Sequence, residues 1–101
     1  AIYVGNVNNL TVVDNRANLA RTGGSTDGTS VDAVRVWGLV GPFLQVRGLV
    51  LTGDFRFGVL IRDTTPGNRP RMVRHITDVL NLDGAQAVSV PATVTTERCV
   101  P

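Results

Sequence analysis

The fold is decided by residues 31–62, which read VDAVRVWGLVGPFLQVRGLVLTGDFRFGVLIR. Three apolar segments in this stretch are separated by two turn-forming pairs, Gly41-Pro42 and Gly53-Asp54. Apolar segments joined by tight turns are typical of antiparallel sheets. The stretch therefore predicts an antiparallel meander. Its predicted strands are 31–40, 43–52 and 55–62.

The composition of the whole chain also favours strands. Val occurs seventeen times and Thr eleven times, whereas Glu occurs once. β-Branched side chains suit the pleated surface of a sheet and lose rotamer freedom in a helix. A chain of 101 residues can bury one core, so we expect a single globular domain over 1–101 that is mostly β.

A glycine recurs every ten residues in the predicted meander, at Gly38, Gly48 and Gly58. Such glycines mark either flat surfaces that a ligand or another backbone approaches, or bends that curve the sheet. Bends allow a small sheet to close into a barrel. The repeat therefore favours a strongly curved antiparallel sheet or a small barrel.

One helix is predicted after the meander, near 70–82. Pro70 suits its first turn, and apolar residues follow at helical spacing. These apolar residues are Met72, Val73, Ile76, Val79 and Leu80. We expect the helix to cover the sheet and to precede one or two closing strands, which is the strand order of an OB-like barrel. The predicted class is therefore mostly β with one helix (α+β).

The segment before the meander predicts smaller elements. Apolar residues at 2–4 and 10–13 could pair across an Asn-rich turn, and 14–21 could form a short helix.

Arginines cluster at the start of the predicted helix, where Arg69, Arg71 and Arg74 lie beside His75. Cations are unfavourable at a helix N-terminus unless an anion is nearby. The anion could be a phosphate, a carboxylate ligand or nucleic acid. Alternatively, a carboxylate of the same chain or a partner subunit neutralises these arginines, or they are solvated.

Arg56 and Trp37 on the predicted sheet extend this hypothesis to nucleic acid, because exposed aromatic rings beside arginines stack bases. The alternative is that the aromatic residues belong to the core. All ten basic residues are Arg, but the net charge is only +2, less than a dedicated nucleic-acid-binding protein carries. The predicted anion- or nucleic-acid-binding residues are Arg69, Arg71, Arg74, His75, Arg56 and Trp37.

The sequence gives little support to catalysis. His75 and Asp78 are spaced to interact on a helix, and Cys99 could act as a nucleophile if His75 were close. No nucleophile motif surrounds Cys99, and a single cysteine with a single histidine does not make a convincing metal site. We expect no enzymatic activity, no catalytic residues, no metal and no cofactor.

A binding or assembly module is the remaining hypothesis. The predicted strands are apolar on both faces, and one helix cannot cover both, so part of this surface should meet another subunit. We therefore expect a homo-oligomer or contacts with other protein subunits, with nucleic-acid or phosphate binding by a small β-barrel as the alternative. No apolar run approaches the roughly 20 residues of a membrane span, so no membrane partner is expected.

Overall fold

The computed structural model describes residues 2–19, 31–53, 55–63, 73–84 and 86–101, and in these ranges all regular structure is β. The strands are β1 (Ile2–Leu19), β2 (Val34–Gly53), β3 (Phe57–Asp63), β4 (Val73–Asn81), β5 (Gln86–Ser89) and β6 (Thr95–Val100). All the described strand pairs are parallel. The sheet curls into a nearly closed, barrel-like form.

The strands are stacked in four layers. β1 pairs along nearly the whole of β2. On its other side β2 pairs with β3 through its first half and with β4 through its second half. β3 then pairs with β5, and β4 with β6. The chain therefore passes repeatedly around one core, each passage lying on the previous one, as in a β-solenoid.

The predicted antiparallel meander is wrong. Gly41-Pro42 does not join two strands, because both residues lie inside β2. The register with β1 shifts by one residue near this point, between the pairs Val7↔Val40 and Asn9↔Phe43. Proline and glycine inside a strand often mark such irregularities. The predicted OB-like strand order is also wrong. An OB barrel requires antiparallel neighbouring strands, whereas every described pair is parallel.

The predicted covering helix near 70–82 is also wrong. Residues 73–81 form strand β4, and 70–72 lie outside the described residues. Asp78 has a left-handed backbone, with φ of 57°, and it shifts the alternation of the strand by one position. Ile76 and Val79 are consequently both buried although they are three residues apart. A bent strand thus reproduces the spacing of a helix.

The two elements predicted before the meander are not formed either. Ile2–Leu19 is one continuous strand, so no hairpin divides it, and residues 14–19 belong to that strand. Residues 20 and 21 of the predicted short helix lie outside the described residues.

One apolar core lies between the two halves of the sheet. The first half of β2 contributes Val34 and Val36, and the second half contributes Leu44, Val46 and Leu51, all at most 1% exposed. These side chains belong to one continuous cluster. The single core agrees with the small barrel shape expected from the sequence.

Two of the three repeated glycines are bends. Gly38 and Gly48 have φ of 81° and 70°, a backbone that L-amino acids rarely adopt. Gly58 differs, because it is buried inside β3. A Cβ atom there would lie 2.6 Å from the carbonyl oxygen of Ala87 and 2.9 Å from Val79 Cγ1. Gly58 is therefore needed for close packing.

Candidate functional site

An open groove lies on the outer face of the first two layers, and we term it the aromatic groove. It is lined by Tyr3, Val4, Gly5, Arg35 and Trp37, and its volume is about 310 Å³. Tyr3 and Trp37 are 57% and 53% exposed. Large aromatic side chains usually bury most of their surface, so the groove offers flat apolar surface to a ligand.

The parallel register brings these residues together from distant parts of the chain. Tyr3 pairs with Arg35, and Gly5 pairs with Trp37. Alternate residues of a strand point to opposite faces. Val36, between Arg35 and Trp37, is completely buried, so its two neighbours point outwards. Gly5 has no side chain, which leaves space beside Trp37.

Arg35 lies against both aromatic rings of the groove. Its guanidinium carbon is 5.5 Å from the centre of the Tyr3 ring and 5.1 Å from the centre of the Trp37 ring. At such distances a cation is attracted to the face of an aromatic ring. The three side chains therefore support one another and combine two stacking faces with one positive charge.

A buried carboxylate holds the arginines of this region. Asp32 is completely buried, and its two oxygens accept hydrogen bonds from Arg56 Nε and Nη2 at 3.2 and 3.0 Å. Arg35 Nε lies 3.3 Å from Asp32 Oδ2. The hydrogen bond to Asp32 is the main reason that the pKa of Arg56 is raised. Two arginines share one carboxylate, so this group carries a net positive charge.

A column of left-handed residues runs through all four layers at a bend of the sheet, and we term it the corner column. It consists of Asp14 in β1, Gly48 in β2, Asp78 in β4 and Arg98 in β6, with φ between 50° and 70°. The residues that flank each member are paired from strand to strand, which aligns the four. The column begins with an aspartate at one edge and ends with an arginine at the other.

Neighbouring members of the corner column form an ion pair. Arg98 Nε donates a hydrogen bond to Asp78 Oδ1 at 2.5 Å, and Arg98 Nη2 donates one to Thr77 Oγ1 at 3.0 Å. The bond from Arg98 lowers the pKa of Asp78, and the same bond raises the pKa of Arg98. Parallel strands are about 4.8 Å apart, so Asp and Arg in adjacent layers of this column are well placed to pair.

Two edges of the sheet have no partner strand among the described residues. β1 pairs with β2 alone, and at the opposite end β5 and β6 pair only with β3 and β4. The outer edge of a strand carries backbone N–H and C=O groups that can bond to another strand. Within the described ranges, each end of the stack therefore has strand edges with which a further strand could pair.

Two of the predicted site residues lie in this part of the molecule. Trp37 lines the aromatic groove, which contradicts the expectation that it belongs to the core. Arg56 is held on the same carboxylate as the arginine of the groove and lies 4.8 Å from the centre of the Phe57 ring. Arg69 and Arg71 lie outside the described residues.

Arg74 and His75 belong to β4, in the other half of the sheet. Arg74 is only 4% exposed, and its Nη1 donates a hydrogen bond to Thr93 Oγ1 at 2.6 Å. His75 Nε2 lies 3.7 Å from Glu97 Oε2. Consecutive residues of a strand face opposite sides. The two side chains consequently do not form the cationic cluster expected at a helix start.

The residues considered for catalysis are also separated. Asp78 is paired with Arg98, so it does not orient His75. Cys99 pairs with Val79, which lies four residues beyond His75 along β4. The Cys99 thiol donates towards the carbonyl oxygen of Glu97 at 3.5 Å, and partial burial raises its pKa. A protonated thiol is a poor nucleophile.

Sequence reasoning missed Tyr3 and Asp32. Tyr3 and Arg35 become neighbours only because β1 and β2 are parallel, and the antiparallel prediction placed them apart. One signal does relate the two segments. Apolar residues alternate in Ile2-Tyr3-Val4 as they do in Val34-Arg35-Val36, and these triplets are the ones that pair.

In the described ranges, no group of three or more His, Cys, Asp or Glu side chains is placed to hold a metal ion. The same ranges contain no helix with the length and apolar character needed to cross a membrane. Comparison of the chain with protein-family models, with curated proteins and with solved structures found no match.

Proposed function

We propose that the protein is a non-catalytic assembly module whose copies stack through their unpaired sheet edges. In this stack, β5 and β6 of one copy pair in parallel with β1 of the next. The observation that carries the proposal is the corner column, because it ends in Asp14 at one edge and in Arg98 at the other. At the corner column the two ends therefore carry opposite charges, and their strands run in the same direction.

The length of β1 supports the proposal. β1 is 18 residues long, and Asp14 and Arg16 are the charged residues in it. Its register with β2 stays in phase from Asn9 to Leu19 across the bend at Asp14, so a further strand that bends at the same corner can pair with this part of the edge. Exposed edge strands in natural proteins are usually short, bulged, charged or covered. Among the described residues, β1 is irregular only near its beginning, where the register shifts, and it carries two charges, at Asp14 and Arg16.

Apolar side chains at the two ends of the core give a second argument. Leu10, Ala17 and Leu19 in the first layer pack against the core but are only partly buried. At the other end Val88 is partly buried and Val100 is 50% exposed. Placing one end on the other removes this apolar surface from water, which contributes roughly 25 cal/mol per Å². Repeat stacks generally need terminal layers with a polar outer face.

The register determines which residues would meet. Thr95 lies over His75, which lies over Gln45, which lies over Thr11. If β6 of one copy pairs with β1 of the next in this same register, Thr95 of the first copy lies over Thr11 of the second. It also sets Arg98 over Asp14, and this contact repeats the ion pair that Arg98 already makes with Asp78.

The test is the molar mass in solution, measured by light scattering over a range of protein and salt concentrations. We expect mass to rise with protein concentration and to fall with salt, which screens exposed ion pairs. Asp14→Arg would place two arginines in contact at the interface and should weaken association at least about tenfold. Asp14→Asn, which keeps the left-handed backbone but removes the charge, should have a smaller effect.

Asp83→Arg is the matched control. It makes the same change in net charge on an exposed turn outside both edges, where Asp83 accepts a hydrogen bond from the Gly53 N–H. It should leave association unchanged. A strict monomer at high protein concentration would contradict the proposal, and so would equal effects of Asp14→Arg and Asp83→Arg.

A further inference from the structure

We infer that the aromatic groove binds single-stranded nucleic acid, with a base stacked against Tyr3 and Trp37 and the nearby arginines holding adjacent phosphates. This inference is independent of the stacking proposal, because it rests on the outer face of β1 and β2 rather than on their edges.

The shape of the groove suits a flat ring. Tyr3 and Trp37 are each more than half exposed, and Gly5 leaves a gap beside Trp37 where any other residue would place a side chain. The volume of about 310 Å³ is at the small end of ligand sites, which fits one base rather than a large cofactor. Stacking on an aromatic face tolerates every base, because each base has a flat face.

The charge of the surroundings favours an anionic ligand over a neutral one. Arg35 and Arg56 share the single carboxylate of Asp32. Arg62, which pairs with Trp37 in the next layer, is exposed and adds a further positive charge beside the groove. Aromatic faces flanked by arginines are the combination that single-strand-binding surfaces use. A neutral sugar would gain from the rings but not from these charges.

The groove offers little to distinguish one base from another. Its side-chain hydrogen-bonding groups are the Tyr3 hydroxyl, the Trp37 indole N–H and the Arg35 guanidinium, and Arg35 is already oriented by Asp32 and the two rings. Binding should consequently depend on the salt concentration much more than on the base sequence.

Trp37 provides the readout, because it is the single tryptophan of the chain. Titration with a short oligothymidylate, at a protein concentration where light scattering gives a monomer, should quench the Trp37 fluorescence as the base stacks. Affinity should fall as salt is raised. For variants, the anisotropy of a labelled oligothymidylate measures binding without depending on Trp37.

Tyr3→Ala should weaken binding roughly tenfold to a hundredfold. Arg35→Lys keeps the charge but removes the flat guanidinium that contacts both rings, so it should also weaken binding several-fold. Leu82→Ala is the matched control. It truncates a side chain that is 56% exposed after β4 and should leave affinity unchanged. Circular dichroism establishes that each variant keeps its strand content.

Three results would overturn the inference. The first is the absence of quenching by the oligonucleotide. The second is quenching by a neutral oligosaccharide instead, which would assign the groove to a sugar. The third is binding that survives Tyr3→Ala and Arg35→Lys unchanged while both variants remain folded, which would move the nucleic-acid surface away from the groove.

Discussion

Asp14 and Arg98 stand at opposite ends of one column of left-handed residues, separated by Gly48 and Asp78. The four residues share a backbone conformation because each of them turns its strand at the same corner of the core. A residue at this corner must tolerate positive φ, which costs most side chains roughly 1–2 kcal/mol. The corner is therefore the point at which backbone conformation constrains the sequence most directly.

Replacement of Gly48 tests this constraint. Gly48→Ala should lower the free energy of unfolding by about 1–2 kcal/mol, because alanine at φ of 70° is strained and its Cβ would lie 2.5 Å from Asp14 Oδ1. Gly48→Asn should cost less, since asparagine adopts this conformation more readily. Urea denaturation measures both. A loss for Asn as large as that for Ala would contradict the explanation.

The ion pair between Asp78 and Arg98 should make stability depend on pH. Because the pKa of Asp78 is lowered in the folded state, its contribution is present above the ordinary pKa of an aspartate. The contribution is lost as the pH falls through the lowered folded value. Urea denaturation from neutral to acidic pH should show a smaller loss in Asp78→Asn than in the parent chain. Identical pH profiles would exclude a role for this pair.

Cys99 should react slowly with alkylating reagents. Partial burial raises the pKa of its thiol, so the folded chain holds the proton above the pH at which an unfolded cysteine loses it. The associated stability is present below the unfolded pKa and is lost as the pH rises through the raised folded pKa. We expect labelling by iodoacetamide at neutral pH to accelerate in urea. Labelling in the folded chain as fast as in urea would contradict this prediction.

Asp32 should be important for stability because two arginines depend on it. Asp32→Asn removes the charge that Arg56 and Arg35 share and should cost roughly 1–3 kcal/mol. The loss should be smaller in a chain that already carries Arg56→Met, because that chain has lost both hydrogen bonds from Arg56 and keeps Arg35 alone beside Asp32. Equal losses in both backgrounds, measured by thermal or urea unfolding, would show that Asp32 and Arg56 are not coupled.

The strand content and much of the strand placement could be predicted from the sequence, because alternation of buried and exposed residues is a local property. The pairing of the strands with one another could not be predicted. Parallel pairing depends on where the chain returns after each passage, and the Gly41-Pro42 pair inside β2 resembled a turn. The helix prediction failed at Asp78, where one left-handed residue converts alternation into the three-residue spacing of Ile76 and Val79.

The candidate groove could be predicted only in part. Trp37 was identified as a possible stacking residue because it is aromatic and close to arginines in the sequence. Tyr3 could not be placed beside it, since the two are neighbours through the register of β1 and β2 alone. The role of Asp32 likewise depends on the approach of Arg56 from a later layer.

The parallel direction of every described strand has a consequence for any assembly of this chain. Copies that join by adding layers in the same direction use two different surfaces, so the contact does not close on itself as a twofold dimer does. The product would be a polar fibre with distinct ends and no fixed subunit number. Its mean length would be set by concentration, and a variant defective at one end alone would terminate growth in one direction only.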